Sequence, residues 1–156
     1  MGLITSVKHR RFQVLALVVC LLFLGLFWSR RQPTTTLRTM QINSQTLQVE
    51  IADEPDEITL GLSFRSQLGS DGLVFVLPSR TVPAFWMKGM KFPLDFVWID
   101  TNTVVDLTKN VPIQEGATDS QLILYRPSVA VTHVLELNAG AIERLKINVG
   151  DSVRLQ

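Results

Sequence analysis

The chain falls into two parts by the spacing of its apolar residues. Residues 12–28 form one run in which Gln13 is the only polar side chain, whereas apolar residues further along occur in short stretches. Leu47, Val49 and Ile51 alternate with polar residues, which predicts a strand with one buried face. The pattern therefore predicts an apolar leader followed by a domain built from short elements.

Two segments of the domain predict short helices. Asp53 is placed to cap a helix that holds Pro55 in its first turn, and residues 141–146 are typical of one or two further turns. The remaining apolar runs predict strands at residues 73–77, 84–87, 94–100, 104–107, 129–137 and 153–155. Many short strands with one or two short helices indicate an α+β fold: a mainly antiparallel curled sheet or small β-barrel, preceded by an N-terminal membrane segment.

The leader carries positive charge on both sides of its apolar run. Residues 1–31 contain five lysines and arginines and no acid. A run of seventeen residues is close to the roughly 17–25 that cross a bilayer, and Trp28 suits the membrane interface. No small-residue cleavage pattern follows the run, so we favour an anchor over a cleaved secretory signal.

The charge distribution also predicts orientation and domain boundaries. More bases precede the run than follow it directly, which places residues 32–156 outside the cytoplasm, in the periplasm or the extracellular space. The domain would be secreted if the leader were cleaved. We expect a basic leader with a membrane anchor at 1–31, a polar linker at 32–37 and one domain at 38–156.

The composition of the domain excludes several classes of function. Residues 32–156 hold ten bases and fourteen acids, which argues against nucleic acid as a partner. The single cysteine, Cys20, lies in the leader, so the domain has neither a nucleophilic cysteine nor a disulfide. The sequence also lacks a phosphate-binding glycine loop and a nucleophile elbow.

Four charged residues are the candidates for catalysis. Asp95 and Glu136 lie within apolar runs and could act as acid or base, with Lys88 and Arg65 stabilising charge. The alternative for each carboxyl is a structural role, in which Asp95 accepts backbone hydrogen bonds and Glu136 pairs with a base.

The aromatic residues between 85 and 98 give a second set of candidates. Trp86 and Trp98 could line an apolar or sugar-binding groove, with Lys88 and Asp95 as its polar anchors. The alternative is a core strand followed by a packing loop.

No metal or cofactor is expected. His133 and Glu136 are three residues apart, which places them on opposite faces of a strand, and a metal site needs further ligands. The only other histidine, His9, lies in the leader.

Several motifs of the domain occur in the order found in one family. They are Gly61-Leu62-Ser63-Phe64-Arg65, Asp71-Gly72-Leu73-Val74-Phe75-Val76, Phe85-Trp86-Met87-Lys88-Gly89-Met90, Pro93-Leu94-Asp95-Phe96-Val97-Trp98-Ile99-Asp100 and His133-Val134-Leu135-Glu136-Leu137-Asn138-Ala139-Gly140. Together they resemble the DUF192 (UPF0127) family over residues 38–156. The family typically has methionine where this chain has Ser63, G-M-L-F where it has 72–75, and M-K-N-T where it has 87–90. The resemblance implies a secreted or envelope-facing domain and no catalytic residue.

These observations lead to three functional hypotheses. The first is a membrane-tethered, envelope-facing module that is not catalytic and binds a glycan, peptide or protein partner. The second is a small envelope hydrolase or lyase that uses Asp95 or Glu136 as acid or base. The third is a structural subunit of a membrane-associated assembly, which would show an exposed apolar surface.

Overall fold

The computed structural model describes residues 37–156, which lie within one compact unit. The predicted leader and most of the predicted linker lie outside the described residues. Within residues 37–156, no helix has both the length and the apolar character needed to cross a membrane.

The domain is mostly β, with a curled half-barrel sheet and two short helices. In chain order the elements are β1 (Arg38–Ile42), β2 (Gln45–Ala52), α1 (Pro55–Leu60), β3 (Gly72–Thr81), β4 (Leu94–Asp100), β5 (Thr103–Val111), β6 (Val131–Asn138), α2 (Ala141–Leu145) and β7 (Val153–Leu155). The strand order across the sheet is β5-β4-β6-β3-β2-β1-β7. Only β2 and β3 pair in parallel, and every other neighbouring pair is antiparallel.

Backbone hydrogen bonds join the two edges of the sheet at one corner. The start of β5 meets the turn before β7, where the Val104 N–H donates to the Asp151 carbonyl at 2.9 Å and the Gly150 N–H donates to the Val104 carbonyl at 2.8 Å. The Val153 N–H likewise donates to the Asn102 carbonyl at 2.7 Å. These bonds satisfy edge groups that would otherwise be open to another chain.

Both faces of the central strands are buried. On the first, here called the α2 face, Val97, Ile99 and Leu135 pack with Ile142 of α2. On the second, here called the cavity face, α1 and the loops after α1 and β3 cover the sheet; its buried residues include Leu73, Phe75, Phe96, Trp98 and Val134. Two-sided burial explains why β4 and β6 are nearly continuous apolar runs in the sequence, because neither face meets water.

Two local predictions were wrong. Residues 84–87 do not form a strand, because Phe85 makes only a single bridge, to Tyr125, and Phe85 packs back onto the sheet from a loop. The cap of α1 is Glu54 rather than Asp53, because Glu54 and Glu57 form a reciprocal capping box with Pro55 at the first turn. The predicted strand at 153–155 and the predicted helix that begins at Ala141 are confirmed.

Candidate functional site

The described residues enclose a cavity of about 210 Å³ on the cavity face of the sheet. The helix α1 and the residues directly after it form one wall, and the loop after β3 forms the other. The floor consists of β3 and Glu136 of β6. The lining residues are Ile58, Thr59, Leu60, Gly61, Leu62, Ser63, Phe75, Leu77, Pro83, Ala84, Phe85, Trp86, Met90 and Glu136.

Glycine at position 61 allows α1 to end against the floor of the cavity. Gly61 has φ of +49°, and a Cβ atom there would lie 3.0 Å from Cζ of Phe75. A larger residue would therefore meet both a strained backbone and a buried ring. The resulting turn directs the following residues along the cavity.

The two walls are joined by a pair of hydrogen bonds. The Phe64 N–H donates to the Gly89 carbonyl at 2.8 Å, and Ser63 Oγ donates to the Lys88 carbonyl at 2.9 Å. Phe64 has φ of +66°, an unusual conformation for a bulky residue, and its ring lies over Gly89. A contact that includes a strained residue, Phe64, thus joins the two walls.

A cluster of aromatic rings packs the loop wall against the sheet. The ring of Phe85 lies 4.9 Å from that of Phe75 and 5.6 Å from that of Trp98, both in edge-to-face geometry. Two backbone hydrogen bonds with Tyr125 hold Phe85 in place. Its neighbour Trp86 lines the cavity and remains 43% exposed.

Glu136 is the only ionisable side chain among the residues that line the cavity. It is 5% exposed, and its Oε2 atom has no hydrogen-bond partner among the described residues. Burial raises the pKa of Glu136 to about 8, although the positive charge of Arg65 partly opposes the shift. Glu136 is therefore mostly protonated near pH 7.

A second buried carboxyl, Glu50, lies on the same face. In the strand register Glu50 is opposite Leu73, and Leu73 is opposite Glu136, which places the two carboxyl residues roughly 10 Å apart across β3. Glu50 is 3% exposed and accepts a 2.6 Å hydrogen bond from the Arg65 guanidinium. Glu50 does not stand out in the sequence, because an alternating strand predicts that its polar residues face water. The local pattern does not show that this second face of the strand is covered.

Two of the predicted site residues, Asp95 and Lys88, do not line the cavity. Asp95 is fully buried on the opposite face, where it accepts hydrogen bonds from the Asn110 N–H at 2.7 Å and the Ile142 N–H at 2.9 Å. Lys88 pairs with exposed Asp119 at 2.7 Å.

Trp98 is also fully buried, and its indole N–H donates to Thr108 Oγ1 at 2.8 Å. Of the residues predicted for catalysis or ligand binding, Glu136 and Trp86 therefore line the cavity, and Arg65 lies near Glu136. Asp95, Lys88 and Trp98 do not line it.

Side chains that could hold a metal ion do not cluster in the part of the chain that the structure describes. His133 is on the same strand as Glu136 but three residues away. Its Nδ1 atom lies 2.8 Å from Thr132 Oγ1, and burial lowers the pKa of its ring.

Solved structures of similar proteins share this fold. A protein from Sinorhizobium meliloti 1021, described as a putative transcription regulator, aligns with a TM-score of 0.69 and 27% identity, over 80% of this chain and 97% of its own. A protein of unknown function from Novosphingobium aromaticivorans aligns with a TM-score of 0.65 and 26% identity, over 79% of this chain and 89% of its own. No curated protein matches the chain.

The family model for DUF192, described as uncharacterized ACR, matches residues 38–155. This range contains all the strands, both helices and every residue of the cavity. The chain belongs to the DUF192 family.

Proposed function

We propose that this domain is a binding module that takes a small ligand into the cavity on the cavity face. The apolar part of the ligand would lie against Phe75, Phe85 and Trp86, and its polar group would bond to Glu136. One observation carries the proposal: the Oε2 atom of Glu136 is buried, has no hydrogen-bond partner among residues 37–156 and belongs to a residue that lines a cavity. A buried polar atom without a partner costs about 1–3 kcal/mol, which a ligand could recover.

The size and composition of the cavity support a small, mainly apolar ligand. Small-molecule sites are typically apolar with a few polar groups that fix orientation. A cavity of about 150 Å³ lined by apolar residues can hold benzene, so 210 Å³ accommodates a single ring or a short branched chain with one polar group.

A small hydrolase or lyase is the second candidate, because a carboxyl that keeps its proton near neutral pH can act as a general acid. Glu136 would donate the proton to the substrate. The other candidates for this chemistry do not line the cavity: Asp95 and Lys88 have partners elsewhere, and Arg65 is paired with Glu50. For this reason we place binding before catalysis.

The location of the domain is a separate proposal. We infer that residues 12–28 anchor the protein in a membrane and place the domain in the periplasm or outside the cell. The support is the uncharged apolar run with bases on both sides. Fractionation of the full-length protein, followed by protease treatment of intact cells and of spheroplasts, tests it: protection of the domain in spheroplasts contradicts the orientation.

The binding proposal can be tested on residues 35–156. This range forms a compact unit, and 80% of this chain aligns with 97% of the solved Sinorhizobium chain, which therefore contains little beyond this domain. We would titrate the ¹⁵N-labelled domain with a set of single-ring fragments that carry a hydroxyl, an amide, an amine or a carboxylate. Backbone amides around Gly61 and Trp86 should shift in a saturable manner with at least one fragment.

Two variants make this test specific. Ala84 lines the cavity, so Ala84→Phe should fill it and abolish the shifts. Asp119→Asn changes an exposed carboxyl outside the cavity and should leave them unchanged. The binding proposal fails if no fragment gives saturable shifts, or if the shifts persist in folded Ala84→Phe. Conversion of a bound fragment or ester that Glu136→Gln abolishes would favour the catalytic alternative.

A further inference from the structure

We propose that the cavity is selective for an organic ammonium group: a protonated amine carried on a small apolar body. This inference rests on the proposed function, because it names the class of ligand for the same cavity. Three properties of the site support it: its charge, the hydrogen-bonding state of its hydroxyl groups, and its aromatic wall.

The charges around the cavity are suited to a cation. Among the described residues, no lysine, arginine or histidine lines the cavity, and the one ionisable group that does is a carboxyl, Glu136. The nearest base, Arg65, is held by buried Glu50 at 2.6 Å. Glu50 and Arg65 offset each other's charge, so a cation that ionises Glu136 leaves this face neutral, whereas an anion would bring an unpaired negative charge into it.

The hydroxyl groups of the cavity have already used their hydrogens. Thr59 Oγ1 donates to the Pro55 carbonyl at 2.8 Å, and Ser63 Oγ donates to the Lys88 carbonyl at 2.9 Å. Each hydroxyl therefore has only lone pairs to offer a ligand. Together with ionised Glu136, the polar side chains of the lining present hydrogen-bond acceptors, and an ammonium group brings three donors.

The aromatic residues add a further preference for a cation. Phe75, Phe85 and Trp86 all line the cavity, and a cation near the face of an aromatic ring is attracted by its quadrupole. The same rings accommodate the apolar part of the ligand. The site thus combines a carboxyl, acceptor oxygens and aromatic rings, as expected for recognition of an amine.

Binding of an ammonium group changes the protonation of Glu136. In the empty cavity the carboxyl keeps its proton, because burial outweighs the effect of Arg65. A bound ammonium favours the carboxylate, so the Glu136 proton is released to solvent while the ligand keeps its own three. The charged groups near Glu136 on this face are Arg65, on the loop after α1, and Glu50 of β2; His133 on the same strand points to the other face.

The test compares three probes of nearly equal size: benzylamine, benzyl alcohol and benzoate. We would measure binding to residues 35–156 by calorimetry. The affinity for benzylamine should rise roughly 50-fold between pH 6 and pH 8, because the ionised fraction of a group with a pKa of about 8 rises by that factor. At pH 7, titrations in two buffers of different ionisation enthalpy should show release of roughly 0.9 proton. Benzyl alcohol should bind with little dependence on pH, and benzoate should not bind.

Variants identify the group responsible. Glu136→Gln should remove both the pH dependence and the preference for benzylamine while benzyl alcohol still binds. Asp119→Asn should behave as the wild type. The inference is overturned if benzyl alcohol or benzoate binds as tightly as benzylamine at pH 8, or if benzylamine binding does not change with pH. If none of the probes binds, the proposed function itself fails, so the two failures can be distinguished.

A further probe distinguishes two kinds of ligand that both carry an ammonium group. A free amine and the lysine side chain of a peptide both present an ammonium on an apolar chain. We would add Nα-acetyl-lysine N-methylamide as a probe at pH 8. Tighter binding than benzylamine identifies a lysine side chain as the source, and weaker binding identifies a free amine; both results support selection of an ammonium group.

Discussion

Two buried carboxyls on adjacent strands, Asp95 of β4 and Glu136 of β6, have opposite environments. Asp95 lies on the α2 face and accepts a backbone hydrogen bond on each oxygen, from Asn110 and from Ile142. Glu136 lies on the cavity face, and its Oε2 atom has no partner among the described residues. Burial alone therefore does not indicate function: a carboxyl with both oxygens bonded joins parts of the fold, whereas one with a free oxygen at a cavity is available to a ligand.

The largest effect should come from Asp95→Asn. The asparagine amide keeps one acceptor oxygen but presents its NH₂ group to the second backbone N–H. One of the two hydrogen bonds to the side chain is therefore lost, and that backbone N–H is left without an acceptor. We expect the free energy of unfolding to fall by about 3 kcal/mol, measured by urea denaturation of residues 35–156. The variant should still bind fragments in the cavity at urea concentrations below its unfolding midpoint. An unchanged stability would show that Asp95 is not the structural carboxyl of the pair.

Loss of Arg65 should have the next largest effect. Arg65→Gln leaves Glu50 buried without its ion-pair partner, and because the Arg65 side chain is 38% exposed we expect a loss of only about 1–2 kcal/mol. The same change removes the charge that partly opposes the shift at Glu136, so the pKa of Glu136 should rise further. An NMR titration of the Glu136 carboxyl carbon measures this. Arg65→Lys is the control, because it keeps the charge and should preserve most of both properties.

The pH dependence of stability gives a direct measure of the difference between the carboxyls. The pKa of Glu136 is about 8 in the folded protein and near 4.5 in the unfolded chain, so between these values the folded state binds the extra proton. Stability from this group is therefore fully present below about pH 4.5 and is lost as the pH rises through 8. The free energy of unfolding should fall with a slope that approaches about 1.4 kcal/mol per pH unit in this window.

Glu136→Gln tests whether Glu136 causes this fall in the free energy of unfolding. The variant should lose the fall in stability between pH 6 and 8, while its stability near pH 5 stays close to that of the wild type. Burial lowers the pKa of His133, but the contribution of this residue is the same in both proteins and disappears from their difference. Equal slopes in the two proteins would show that Glu136 is ionised in the folded state at neutral pH and would contradict this prediction.

Much of the fold could be predicted from the sequence because turn residues separate its elements. The hairpin of β4 and β5 and the last strand follow from apolar runs bounded by short polar turns. Residues 84–87 were predicted wrongly for a physical reason. An apolar run of this length suits a strand, but Phe85 buries its ring against Phe75 and Trp98 from a loop, which needs no strand pairing.

The candidate site could be predicted only in part. Glu136 stands out in the sequence as a charge within an apolar run, and Trp86 belongs to an aromatic stretch. The cavity itself depends on how α1 and the loop after β3 lie over the sheet, and no local pattern gives that arrangement. Glu50 shows the same limit, because its alternation with apolar residues predicts exposure, whereas in the folded domain it is buried and paired with Arg65.

The smallest effect is expected at Lys88, the remaining polar anchor predicted for a groove. Its ammonium group pairs with Asp119 at 2.7 Å, but the two side chains are 50% and 76% exposed, and surface pairs of this kind contribute about 0–1 kcal/mol. Lys88→Ala should therefore change the midpoint of urea denaturation very little. It should also leave fragment binding unchanged, because the contact that Lys88 makes with the cavity wall is through its backbone carbonyl, which accepts from Ser63 and survives the substitution. A loss of binding in Lys88→Ala would show that the polar group of the ligand depends on the Lys88 side chain. The contrast between Asp95 and Glu136 would then no longer identify the group that binds the ligand.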